Sequence, residues 1–264
     1  MYGIAKLSII PVRLENSDKS EMVTQLLFGE TYSIIKEDDR WLKVKLDSDG
    51  YEGWIDKFQH SKLSREEFEK NTINNTFKTI EISQNVFFDT FNFPVLIGSS
   101  LPLYNRNASE FFFYLENEKW KTNFQPLEII DFKDFLFLKQ ICLKYLNAPY
   151  LWGGRSIFGI DCSGFTQQVF SLSGYELKRD SSEQVKQGDD INFLERLPGD
   201  LAFFNNKDGK IIHVGILLEK DQIIHASSKV KINNLDKTGI WCDERKKYSH
   251  FLHSIKRILK QSIE

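Results

Sequence analysis

The chain has 264 residues, enough for two or three modest domains rather than one. Hydrophobic residues make up 41% and charged residues 27%, with a formal net charge of −2. This is the balance of an ordinary globular protein, and it excludes a broad electrostatic footprint for nucleic acid or anionic lipid.

The opening stretch, MYGIAKLSIIPVRLEN, offers only short apolar pieces broken by Lys6 and Pro11. It has no secretory apolar region, and no run in the chain approaches the roughly 18 apolar residues of a membrane span. Residues 1–61 predict short strands: LSIIPVRL, EMVTQLLFGETYSIIKEDD, RWLKVKL and YEGWI, punctuated by Gly and Asp clusters as in a small β-barrel. KLSREEFEKNTINNT, residues 62–76, is polar and charged and is expected to connect domains. A second β-rich stretch, residues 77–128, carries NFPVLIGSSLPLYN and EFFFYLENEKW and predicts another small barrel. The chain holds 22 Phe, so ring-rich cores are expected.

From Asp131 the texture changes. In DFKDFLFLKQICLKYLN, Asp131 is the expected N-cap, and Phe135, Leu138, Ile141, Cys142 and Tyr145 fall at helical spacing. Cys142 lies on that apolar stripe and reads as a small buried hydrophobe. Asp161–Leu172 predicts a second helix, and LAFFN, HVGILLE, QIIHAS and HFLHSIKRIL predict strands. Helices followed by strands make residues 131–264 an α+β domain. Cys142, Cys162 and Cys242 are an odd count without close pairing, so neither a disulfide framework nor a Cys-based zinc site is supported. A reducing, cytoplasmic setting is the expectation.

Cys162, in GIDCSGF, stands at the start of a predicted helix, where unpaired N–H groups and the macrodipole favour a thiolate. A nucleophilic cysteine needs a base. His213 and His225 flank HVGILLEKDQIIH; a hairpin turning near Glu219–Lys220 sets them about opposite each other, on one face by the strand period of two. One imidazole can then accept the thiol proton while the other fixes its tautomer. His60, His250 and His253 read as surface or core residues. Asp161 is the odd element: a carboxylate beside a thiol raises its pKa, so Asp161 reads as a helix N-cap or as a group recognising a substrate cation. RDSSEQ, residues 179–184, reads as another helix start with Ser181 or Ser182 as cap.

PYLWGGRSIFGIDCSGF, RDSSEQ, LPGDLAFF, HVGILL and IIHAS, in that order, resemble the NlpC-type cysteine peptidases, a papain-like family that cuts bacterial cell-wall peptides. The resemblance covers residues 131–264. It implies Cys162 as nucleophile, His213 as base, His225 as the orienting third residue and Tyr150 in oxyanion stabilisation. SEMVTQLLFGE and GYEGWI resemble the first of two bacterial SH3-like domains in a subgroup of that family. Members of the subgroup are cytoplasmic and cleave γ-D-glutamyl–diamino acid bonds in recycled murein peptides with a free N-terminal L-Ala. By this resemblance Glu21, Tyr51 and Asp161 hold the free amine, and Ser163, Asp180 and Ser181 are further substrate contacts. The expected architecture is a papain-like domain preceded by two SH3-like barrels, the second packing and shaping the cleft. The chain is expected to be a monomer needing no metal or cofactor, with no nucleic-acid or membrane partner. The competing readings are an exported endopeptidase acting on polymeric murein, an acyltransferase on the same core, and a wall-fragment binding module. The intact Cys/His/His set argues against the last.

Overall fold

A computed structural model describes residues 1–73, 76–105, 110–129 and 133–259. The chain divides into two compact units, Met1–Ile130 with Trp152–Ile157, and Asp131–Leu151 with Phe158–Glu264. Among the described residues, no helix is long and apolar enough to cross a membrane.

In the N-terminal unit a seven-stranded sheet runs in the order Met22–Leu27, Ile9–Arg13, Glu52–Asp56, Trp41–Leu46, Thr31–Glu37, Tyr2–Ile4, Ser61–Leu63. Ile9–Arg13 alternates in burial, so Ile10 and Val12 point inward with Leu26, Leu42, Val44 and Ile55. A four-stranded sheet follows in the order Phe91–Leu96, Ser83–Phe88, Glu118–Thr122, Phe111–Leu115. Ile4, Phe28 and Leu63 share one core with Val86, Val95, Phe113 and Trp120. Aromatic rings fill it: Trp120 lies 5.0 Å from Phe88 and 5.6 Å from Phe28, centroid to centroid.

The expected polar connection at 62–76 holds a helix instead, Arg65–Ile73. Ser64 and Glu67 form a reciprocal capping box, and Arg65–Glu69 and Glu66–Lys70 pair one turn apart. Its apolar anchor is Phe68, stacked on Tyr2 at 4.2 Å. With so narrow an apolar stripe, the segment carries no helical periodicity to read.

In the C-terminal unit, helix Phe135–Lys144 is capped by Asp134, whose Oδ1 accepts from Phe137 N–H at 3.0 Å. The expected cap Asp131 lies outside the described residues. Helix Cys162–Leu172 packs against strands Ile211–Glu219 and Gln222–Ser227. The antiparallel sheet runs Asp189–Ile191, Lys247–Arg257, Leu201–Asn205, Ile211–Glu219, Gln222–Ser227, Lys229–Asn234, with Gly239–Cys242 also paired to Lys247–Arg257. The architecture is α+β, as the succession of helices and strands implied.

Residues Trp152–Ile157 interrupt the second unit in sequence and are anchored in the first. Gly153 has φ +74°, and a Cβ there would lie 2.1 Å from the Met22 carbonyl oxygen, so only glycine fits. Arg155 forks onto buried Glu30 at 2.8 and 2.9 Å and donates to the Gln25 carbonyl at 2.6 Å. Burial pushes the Glu30 carboxyl up, and the bonded Arg155 guanidinium overrides this and holds it below its ordinary value. Removing one partner of such a pair leaves a buried, uncompensated charge. Glu30→Ala is therefore expected to cost about 3–5 kcal/mol in chemical denaturation. A loss within about 0.5 kcal/mol, the range of an ordinary surface substitution, would show that the pair does not hold the unit together.

Candidate active site

The site begins at Asp161. It has extended backbone, φ −92° and ψ 177°, and caps helix Cys162–Leu172 by accepting from Gly164 N–H at 2.6 Å. The cap makes Cys162 the first helical residue, in the turn where N–H groups lack intrahelical partners. The backbone amides of Val214 and Ser163 act to lower its pKa. Val214 follows His213 on the strand against which the cysteine helix packs, the strand that carries the candidate base.

Asp161 does not wait for a cation. Arg179, 1% exposed, grips both its oxygens, Nη1 to Oδ1 at 3.0 Å and Nη2 to Oδ2 at 2.6 Å. Ser163 Oγ accepts from the same Nη1 at 3.0 Å and donates to Asp161 Oδ1 at 3.2 Å. The sequence argument looked to an incoming ammonium to offset this carboxylate; the fold already supplies a guanidinium. Burial, and then the Asp161 carboxylate, still push the Cys162 thiol up to about 12. Burial likewise drives His213 well below the usual imidazole value, with His225, His250 and Lys231 adding to the effect. Both shifts favour the uncharged forms, thiol and imidazole.

Three residues on adjacent strands fix which imidazole nitrogen is free. His213 Nε2 lies 2.7 Å from His225 Nδ1, and His225 Nε2 lies 3.0 Å from Asn233 Oδ1. Asn233 Nδ2 donates to the Trp241 carbonyl at 3.3 Å, so its oxygen is the atom that faces His225. That oxygen can only accept, so His225 carries its proton on Nε2 and offers Nδ1 as acceptor. His213 must then donate from Nε2, which leaves Nδ1 unprotonated, the state a general base requires. The sheet makes this row by diagonal contacts. Ile223 pairs with Asn233 and Ile216 with Ile224, so Asn233 and His213 each lie diagonally from His225 on its own face. A Cβ on Gly215 would come within 2.9 Å of His225 Cβ, so glycine keeps the diagonal open.

Sequence reasoning missed Arg179, Asn233 and His250 as parts of this site. His250 stacks on His213 at 4.1 Å and 20°, and its ring is pushed down to about 4 by burial and then Lys231. One ring nitrogen from each of His213, His225 and His250 lies within 4.8 Å of those of the other two. The Tyr150 backbone is held by the Ser228 carbonyl at 3.0 Å. Its hydroxyl is pushed up to about 12 by burial, then by Cys162 and Asp161, so it remains a proton donor beside them. Asp180 occupies the N-cap position of the short helix Ser181–Gln184, so neither Ser181 nor Ser182 is the cap. Gln184 ties that helix to the cysteine helix through Thr166 Oγ1 at 2.8 Å and the Ser163 carbonyl at 3.0 Å. Glu21 and Tyr51 belong to the N-terminal unit. The Glu21 carboxylate accepts from the Trp152 indole N–H, and Tyr51 N–H donates to Asp49 at 2.8 Å.

Residues 147–248 match the NlpC/P60 family, and residues 12–58 match the bacterial dipeptidyl-peptidase Sh3 domain. A gamma-D-glutamyl-L-lysine dipeptidyl-peptidase of Bacillus subtilis strain 168 is 29% identical over 219 residues, 77% of this chain and 71% of that protein. A protein of the same name from Bacillus cereus ATCC 10987 is 27% identical over 261 residues, 86% and 74% of the two chains. The crystal structure of an NlpC/P60 family protein from Bacillus cereus ATCC 10987 shares the fold, with a TM-score of 0.84 at 20% identity, covering 98% of this chain and all of that one. The chain carries an NlpC/P60 peptidase domain behind an N-terminal bacterial Sh3 domain.

The upward shift of the Cys162 thiol predicts slow reaction with iodoacetamide. Alkylation followed by mass spectrometry is expected to be weak at pH 7 and to rise steadily toward pH 10, because only the thiolate reacts. A rate already at plateau near pH 6 would instead indicate a preformed thiolate–imidazolium pair. Asn233→Ala removes the acceptor that sets both tautomers and is expected to lower kcat roughly tenfold, the worth of a hydrogen bond of ~1.4 kcal/mol. Asn233→Asp, which keeps an acceptor oxygen, should restore most of it and shift the acid limb of the pH profile. An Asn233→Ala enzyme with unchanged kcat and pH profile would remove Asn233 from the relay.

Proposed function

We propose that this NlpC/P60 peptidase hydrolyses the γ-D-Glu–diamino acid bond of murein peptides that carry a free N-terminal L-Ala, releasing L-Ala-γ-D-Glu in the cytoplasm as a step of cell-wall recycling. The observation that carries the reading is a pairing. Two relatives named as gamma-D-glutamyl-L-lysine dipeptidyl-peptidases align over most of this chain, and Cys162, His213 and His225 fall in the region matching the NlpC/P60 family.

In the proposed mechanism His213 Nδ1 takes the Cys162 proton as sulfur attacks the γ-carbonyl carbon of D-Glu. The Tyr150 hydroxyl and the first-turn N–H groups receive the developing oxyanion. His213 passes the proton to the diamino acid nitrogen, the C–N bond breaks, and a thioester remains on Cys162. Water then gives a proton to His213 Nδ1 and attacks the thioester. The sulfur leaves, regains that proton, and frees the carboxylic acid product. His225 and Asn233 hold the imidazole in the required tautomer throughout. Glu21, Tyr51 and Asp161 are assigned to the substrate's free amine, with Ser163, Asp180 and Ser181 as further contacts, on the resemblance alone.

The test is mass spectrometry of the reduced protein incubated with L-Ala-γ-D-Glu-meso-diaminopimelate beside its N-acetylated twin. Cleavage of the free-amine peptide alone is expected, with turnover abolished in Cys162→Ala. Equal cleavage of both peptides would reject the free-amine requirement and favour an enzyme of polymeric murein. Full activity in Cys162→Ala would reject the nucleophile.

A further inference from the structure

The relay ends beside a cavity that the hydrolytic steps leave unused. Its volume is 610 Å³, and His250, the ring stacked on His213, forms part of its wall. Lys231, Arg245 and Lys247 line it, against the single carboxylate of Glu244. Three cations and one carboxylate leave two positive charges in excess. Glu244 is already engaged, accepting from the Cys242 thiol at 3.1 Å. Lys231 projects from a defined place, since it pairs directly with His225 in the sheet and is half-buried. Among the described residues, none of the three cations makes a side-chain hydrogen bond or salt bridge. Glu244 also interacts with Lys231 and Arg245, yet one carboxylate against three cations around one concavity favours an anionic occupant, and Lys231 is near enough to His213, His225 and His250 to disfavour their protonation.

We propose that this cavity receives the free α-carboxylate of the diamino acid that leaves when the γ-D-glutamyl bond is cut, with Lys231 as its principal partner and Arg245 and Lys247 as supporting cations. The proposal rests on the γ-D-glutamyl reading of the site. Its stereochemical basis is short. The leaving nitrogen takes its proton from His213, and the α-carboxylate hangs on the carbon bonded to that nitrogen. A group so attached lies on the imidazole side of the scissile bond, and His250, stacked on that imidazole, forms part of the cavity wall. A carboxylate there gains charge-assisted hydrogen bonds, which an amide of the same shape cannot match. The enzyme would thereby prefer peptides ending at the diamino acid over those capped or extended beyond it.

The comparison that tests this uses two peptides, L-Ala-γ-D-Glu-L-Lys with a free C-terminal carboxylate and the same peptide as its C-terminal amide. The wild-type protein, Lys231→Met and Arg245→Gln are assayed for kcat/KM on each. The expected result is a wild-type preference for the acid of roughly tenfold or more, the worth of one charge-assisted hydrogen bond. That ratio should fall toward one in Lys231→Met and partway in Arg245→Gln. Should Lys231→Met not fold, Arg245→Gln combined with Lys247→Gln carries the same comparison from exposed positions. Equal wild-type rates on acid and amide, or a ratio unmoved by these substitutions, would overturn the carboxylate pocket and leave the γ-D-glutamyl activity standing. A wild-type enzyme that cleaves neither peptide would overturn the activity itself and the pocket's proposed ligand with it.

Discussion

The Asp161–Arg179 pair is the constraint on which the site depends. A buried carboxylate, 5% exposed at the start of an apolar helix, requires a charged partner, and the bidentate guanidinium supplies it. Held there, Asp161 accepts from Gly164 and caps the helix, which fixes where Cys162 begins it. Ser163 fills the remaining angle between the two charges. The same carboxylate opposes thiolate formation one residue away. Burial raises the thiol most, and the Asp161 carboxylate adds more than the Arg179 guanidinium takes away. Positioning has been placed ahead of activation: the cysteine helix packs on the histidine strand, in surroundings that disfavour the thiolate.

Much of this was legible because local rules carried it. Asp161 as a cap, Cys162 as a helix start and two histidines on one hairpin face all follow from periods and boundaries within a dozen residues. What could not be read depended on register between distant segments. Arg179 meets Asp161 across 18 positions in a loop whose composition says only turn. Asn233 reaches His225 because a third strand pairs Ile223 with Asn233, and nothing local announces that register. His250 joins the cluster through Gly239–Cys242 and Leu201–Asn205, both paired with its own strand. A histidine alone on a strand carries no signal of which neighbours the sheet will give it.

The segment after Tyr150 shows how a motif can mix two demands. Tyr150 is held by the Ser228 carbonyl in the C-terminal unit, whereas Trp152, Gly153 and Arg155 have their partners at Glu21, Met22, Gln25 and Glu30 in the N-terminal unit. Read as one string, PYLWGGR looks like a single catalytic signature. Read by contacts, Gly153 answers to a carbonyl of the first sheet and Arg155 to a buried glutamate there. An apolar residue in place of Arg155 could bury comparable area, but it could not require Glu30 and the Gln25 carbonyl at fixed distances. The ion pair therefore specifies one seat for this segment where hydrophobic packing would tolerate several.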